Sequence, residues 1–272
     1  MKKKLEHSGL PIYYDDQYVL HFEEGLTCGG GGTKEAEKMR GLLYREENLD
    51  GNEICYSFYR DIVFEKDRGL FESRDYRYDI TVIMPGEING ECKKTSGHFH
   101  GEIQGQIWTY PEIYEVLEGE ITFLLQKTRD FEREDPEFER ISAVKVKAGQ
   151  AIVIPPFCGH GSVNTGDGVG IFSNIAVVSC PLFYEPVKKK HGLSYYIVKE
   201  KGQITYIKND AYADLPKLEV VLPEEERELG IVFGKPVYQE FVKAPEKFEY
   251  LRDPGEYVDR MESMTAGSQS GR

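Results

Sequence analysis

Gly97-His98-Phe99-His100 sets two imidazoles one residue apart. On a β-strand side chains alternate with period 2, so His98 and His100 project to one face and Phe99 to the other. Two further donors follow: Glu112 in Pro-Glu-Ile-Tyr and His160 in Ile-Pro-Pro-Phe-Cys-Gly-His. Three imidazoles and one carboxylate are a sufficient protein shell for a divalent transition metal. Three of the six histidines are then committed to one place. That donor set suits Fe2+, Mn2+, Ni2+ or Zn2+, and the sequence does not select among them.

The surroundings are β-rich. Short apolar runs at residues 78–84, 113–117, 121–125, 143–146, 151–154, 169–178 and 195–198 are separated by turn residues such as Pro85-Gly86 and Glu118-Gly119. Such intervals predict a sandwich or barrel. No strand–helix alternation supports a parallel sheet. The expected architecture is mainly β, two Greek-key sheets closing on each other as a jelly roll over residues 54–209.

The flanks differ. Residues 18–22 predict a short strand, with His21 partly exposed on it. The four glycines Gly29 to Gly32 predict a flexible loop, and no Gly-Lys-Ser/Thr follows to make it a phosphate loop. Residues 34–44 are mostly helix formers, so a short helix is expected in the N-terminal segment 1–53. In the extension 210–272, residues 222–229 and 236–243 predict short helices, the first opened by proline and acids. Pro245 argues against prolonging the second. The polar residues from Met264 onward predict a disordered tail. This extension is expected to serve packing or a dimer contact.

Hydrophobic residues make up 40% and charged residues 30% of the 272, a soluble composition. The net charge of −13 disfavours nucleic acid and anionic membranes as partners. No apolar run reaches membrane-spanning length, and the basic start Met1-Lys2-Lys3-Lys4 lacks an apolar continuation, so a cytoplasmic location is expected. Five scattered cysteines without a Cys-x-x-Cys pair predict reduced thiols, Cys158 alone being placed to line a pocket wall.

The spacing of the donors is regular. His98-x-His100 is followed by Glu112 and, after six residues, Gly119; Gly149 is followed by Pro155, His160 and Asn164. These two segments resemble the two motifs of the cupins, whose fold is a double-stranded β-helix. Two departures stand out. Eleven residues separate His100 from Glu112, longer than the usual gap, and Phe157 replaces a motif glycine. The long gap leaves Glu102 as second candidate carboxylate, since it continues the alternation of His98 and His100. Strand parity sends Glu115 to the face opposite Glu112.

A closer resemblance rests on Thr95-Ser96-Gly97-His98-Phe99-His100, Pro111-Glu112-Ile113-Tyr114, residues 153–164 and Thr81-Val82-Ile83-Met84-Pro85-Gly86. These are similar to the cupin-type glucose-6-phosphate isomerases. The resemblance implies interconversion of glucose 6-phosphate and fructose 6-phosphate, a step of glycolysis and gluconeogenesis, by a homodimer using one divalent metal, Fe2+ first. It implies His98, His100, Glu112 and His160 as ligands. It places Thr81, Thr95 and Gly97 where the family binds the sugar phosphate, and Tyr114 and Tyr184 at pocket tyrosines. Glu112, with Tyr114 beside it, is the candidate for the proton transfer of an enediolate mechanism; a hydride shift is the rival. Ala176 and Leu182 stand where the family has a pocket tyrosine and histidine. Lys93 and Lys94 are expected as solvated turn residues. Two other cupin functions remain open at this point: an Fe(II) oxygenase, and a sugar- or metabolite-binding module without turnover.

Overall fold

Val, Ile, Tyr and Phe concentrate in ten strands that form two main sheets in the computed structural model, which describes residues 1–267. In chain order these are β1 (Leu26–Glu35), β2 (Ile54–Phe64), β3 (Tyr76–Ile83), β4 (Glu112–Glu118), β5 (Glu120–Lys127), β6 (Arg140–Lys147), β7 (Ala151–Ile154), β8 (Cys158–Asn164), β9 (Gly170–Val177) and β10 (Leu218–Val221). One sheet has the order β7-β4-β9-β3-β2-β1 and the other β8-β5-β6-β10. Only the β6–β10 pair is parallel among these. The larger sheet brings distant strands together, as a Greek-key jelly roll requires, and the fold is that of the cupins.

The two sheets face each other across an apolar layer. Val116, Ile121, Phe123, Val144, Val146, Ile152 and Phe172 are buried there. Tyr114, Phe123 and Phe172 meet at ring-centroid distances of 5.0 to 5.7 Å with tilted or edge geometry. Such pairs add about 0.5–1.5 kcal/mol each beyond area burial. Toward one end this layer gives way to the polar residues of the candidate site.

The back of the larger sheet is apolar too, and both chain ends cover it. Leu5, Leu10 and Ile12 from the start, and Phe241, Phe248, Tyr250, Leu251 and Met261 from the end, pack with Ile80, Val82, Ile113, Leu117 and Ile171. The C-terminal part contains the α-helices Val237–Lys243 and Val258–Thr265. Residues 54–209 supply eight of the ten strands; β1 and β10 come from either side and pair into the same two sheets.

Several local expectations change. Gly29 to Gly32 lie within β1, Gly30 to Gly32 paired with β2, and are no loop. Glycine is a poor strand former in general, but here it permits close contact. A Cβ at Gly31 would lie 2.7 Å from the Phe58 carbonyl oxygen, and one at Gly29 would lie 2.8 Å from the Asp61 carboxylate. The helix over 34–44 shrinks to the 3-10 turn Ala36–Met39, because Lys34 and Glu35 are held in the ladder with β2. On the C-terminal side, the helix expected over 222–229 is only the 3-10 turn Arg227–Leu229, while that over 236–243 is present. A 3-10 helix, Pro245–Leu251, follows. Met264 and Thr265, expected in a disordered tail, are helical and buried against the core. Residues 268–272 of that tail lie outside the described residues. No helix among the described residues is long and apolar enough to cross a membrane.

Candidate metal centre

The backbone itself joins the first two ligand-bearing segments. His98 and His160 form an antiparallel bridge, His98 N–H donating to His160 O at 3.0 Å and His160 N–H to His98 O at 2.9 Å. Directly opposed residues send their side chains to one face, and the two rings lie 4.5 Å apart between centroids. His100 lies in the strand Phe99–His100, opposite Leu182 of Leu182–Phe183. Phe99 points the other way and stacks on Phe131 at 4.7 Å. Its ring fills the space that a side chain at position 159 would need: a Cβ on Gly159 would come within 2.3 Å of it. That contact is the reason for glycine before His160.

The departures from the cupin pattern have local explanations. Phe157 has a φ of +66°, the left-handed conformation that a glycine adopts easily. It is kept there by its N–H, which donates to Thr109 Oγ1 at 2.6 Å, and by the Arg129 guanidinium 4.2 Å from its ring centre. Strain of this kind costs about 1–2 kcal/mol. The long gap folds back on itself through a bridge between Glu102 and Thr109 and supplies the Tyr110 carbonyl to His100. Glu102 is exposed on that turn, so Glu112 is the carboxylate brought to the histidines.

Each of His98, His100, Glu112 and His160 offers one donor atom, and these atoms lie within 4.8 Å of one another. His100 Nδ1–H donates to Tyr110 O at 2.8 Å and His160 Nδ1–H to Cys158 O at 3.1 Å. A carbonyl only accepts, so each Nε2 is left to face inward. The inward atoms are spaced as ligands of one ion are. His98 Nε2 to His100 Nε2 is 3.1 Å, and Glu112 Oε2 is 3.3 Å from His100 Nε2 and 3.4 Å from His160 Nε2. Bonds of about 2.1 Å at octahedral or tetrahedral angles place neighbouring ligands about 3.0–3.4 Å apart. The cluster could hold a divalent cation.

Glu112 is held from both oxygens. Asn174 Nδ2 donates to Oε1 at 2.6 Å, and the Tyr114 hydroxyl donates to Oε2 at 2.8 Å. Burial acts to raise the Glu112 pKa, but the imidazoles of His100 and His160 outweigh it and hold the carboxyl well below the usual range. Burial holds His98 well below the ordinary imidazole value. For His100 burial is outweighed by contacts with Cys180 and Glu112, which push it up to about 10. A cation taking the His100 lone pair must displace a proton. Burial and the charge of Glu112 raise Tyr114 well above 10, so its hydroxyl remains a donor.

The cluster opens into a cavity of about 240 Å³ lined also by Thr81, Thr95, Gly97, Tyr114 and Tyr184. The four donors and these five residues therefore border one space, while Glu102 and Cys158 do not. Gly97 has a φ of +75°, and the Tyr184 ring lies 5.3 Å from that of His98. Thr95 Oγ1 accepts from Ser162 N at 3.0 Å. Ala176 and Leu182 are on the same wall. A larger cavity of about 590 Å³, beyond Phe99, includes none of the four donors.

Other expectations are corrected. Cys158 is buried in the apolar layer and Cys180 lines the cavity instead, because the turn after β9 carries Cys180 past His100. Lys93 and Lys94 are not solvated: Lys93 pairs with Glu53 at 2.8 Å and Lys94 with Glu91, both ammonium groups largely buried. Sequence reasoning missed Asn174, Arg60, Arg77 and Asp79. A signal for the last two was present, since Arg77, Asp79 and Thr81 alternate with Tyr78, Ile80 and Val82.

Comparison with known proteins agrees with this geometry. Residues 33–214 match the family described as Glucose-6-phosphate isomerase (GPI). The chain is 27% identical over 191 residues to glucose-6-phosphate isomerase of Thermococcus litoralis, covering 68% of this chain and 90% of that protein. It is 29% identical over 200 residues to that of Thermococcus kodakarensis, covering 72% and 95%. The chain belongs to the glucose-6-phosphate isomerase family.

Proposed function

We propose that this protein is an enzyme that interconverts glucose 6-phosphate and fructose 6-phosphate in a metal-dependent reaction. The observation that carries the reading is the convergence of four donors, at ligand spacing, at the end of a hydroxyl-lined cavity in a chain of this family. Oxygenase and non-catalytic binding readings are not favoured by that membership.

His98, His100, Glu112 and His160 are the proposed ligands. A divalent cation there supplies Lewis-acid polarisation of the substrate's carbonyl and adjacent hydroxyl. Fe2+ is proposed first, with Mn2+, Ni2+ and Zn2+ as the other outcomes of reconstitution. Thr81, Thr95, Gly97 and Tyr184 are proposed to bind the sugar phosphate through hydroxyls and a backbone N–H. Tyr114 keeps its proton and orients Glu112, and Glu112 is the proposed proton acceptor between the two carbons. The low basicity of Glu112 favours a second reading, a direct hydride shift. A cytoplasmic homodimer is proposed, with segments 1–53 and 210–272 as scaffold around the barrel of residues 54–209.

Metal-reconstituted protein supplied anaerobically with glucose 6-phosphate is expected to form fructose 6-phosphate and to stop on chelation. Undiminished turnover by metal-stripped protein would overturn the reading. Substrate deuterated at C2 separates the mechanisms: washout to solvent supports Glu112, and retention at C1 supports the hydride shift.

A further inference from the structure

The inner face of β3 carries Arg77, Asp79 and Thr81, and β2 contributes Arg60 to the same cavity. Asp79 is fully buried, with no exposed side-chain surface. Arg60 Nη1 and Arg77 Nε both donate to its Oδ2, each at 2.8 Å, while Asp61 N–H donates to Oδ1 at 2.9 Å. One carboxylate is therefore shared by two guanidiniums, and the trio keeps one positive charge in a chain whose net charge is −13.

Neutralising a buried carboxylate takes one partner, and the second arginine needs another reason. Each guanidinium has five N–H donors. Among the described hydrogen bonds Arg60 and Arg77 each spend one nitrogen on Asp79. Both side chains retain about a third of their surface, 38% and 33%, and that surface borders the cavity. Their placement is fixed. The Arg60 guanidinium lies 5.0 Å from the Phe58 ring centre, and Arg77 lies directly across from Ala176, whose small side chain leaves room beside it.

We propose that Arg60 and Arg77, positioned by Asp79, are an anion clamp that binds the phosphate dianion of the substrate. The clamp deepens the isomerase reading, and it rests on that reading for the identity of the phosphoester. The threonine hydroxyls and the Gly97 N–H of the cavity carry no net charge. Two guanidiniums supply the charge-assisted, multidentate contacts that a dianion needs. Thr81, next on the same face of β3, is placed to share the phosphate.

The test uses inorganic phosphate as probe alongside turnover. Arg60→Met and Arg77→Met are expected to weaken phosphate binding by about 10–100-fold, and to raise KM for glucose 6-phosphate by a similar factor with kcat changed less than about threefold. Arg77→Lys is expected to recover part of the affinity. Phosphate is also expected to protect Arg60 and Arg77 of the unaltered protein from phenylglyoxal, a readout that needs no variant to fold. Unchanged phosphate affinity in folded variants, or equal labelling with and without phosphate, would overturn the clamp. An unaltered protein that binds phosphate through these arginines but forms no fructose 6-phosphate would sink the isomerase reading and leave the clamp standing.

Discussion

Glu112 and Glu115 lie three residues apart on β4 and are equally withdrawn from water, at 4% and 2% exposure, yet they face opposite sides of the larger sheet. Glu112 meets two imidazoles, a tyrosine hydroxyl and an amide, and is held as a carboxylate. Glu115 meets the Val237 N–H at 3.1 Å and the Ser173 hydroxyl at 3.5 Å, with apolar residues around it. Burial is the largest influence on it and pushes it up to about 8. Depth alone therefore says little about ionisation; the partners decide it. The front of the sheet is polar where it reaches the cavity, and the back is apolar and clothed by the two chain ends. Chemistry and scaffold share one set of strands.

The comparison breaks most visibly at the front. His98→Ala or Glu112→Gln is expected to abolish bound metal and to reduce turnover by about 10³-fold or more, the several kcal/mol of charge stabilisation that a cation provides. Metal analysis and the isomerisation assay check this together. If Glu112→Gln keeps both, the contrast between the two glutamates has no functional meaning. Asn174→Ala removes the donor to Glu112 Oε1 and is expected to weaken metal affinity by about 10–100-fold, measured by competition with a chelator.

The back face gives the smallest effect and the sharper diagnostic. The pKa of Glu115 in the folded chain, about 8, lies above the usual glutamate value of 4.5. Between those values the folded protein keeps a proton that the unfolded chain releases. Stability linked to Glu115 is complete below pH 4.5 and is lost as pH rises through 8. Glu115→Gln can still accept from Val237 N–H and stays neutral. It is expected to raise the melting temperature by about 2–4 °C at pH 8, to flatten the decline of stability with pH, and to leave kcat and metal content unchanged. Thermal melts from pH 5 to 8 read this directly. A variant less stable than the parent at pH 8 would show that Glu115 is ionised and satisfied, as Glu112 is.

Much of the centre was legible before any coordinates. Alternation along His98-Phe99-His100 and the opposed parity of Glu112 and Glu115 follow from the two-residue period of a strand, whatever its neighbours. The helix over 34–44 failed for the complementary reason. Its residues are good helix formers, but a long-range ladder with β2 outcompetes a local preference worth less than about 1 kcal/mol per residue.

By itself, the sequence determined the candidate donors, the β character and the face that most strand residues take; the last two depend only on composition and short-range periodicity. Only the tertiary structure decided that His98 pairs with His160, that Asn174 reaches Glu112, that Asp79 gathers two arginines, and that the chain ends close the back of the sheet. Each of these joins residues far apart in the chain, and strand order is set by packing, which no local pattern encodes.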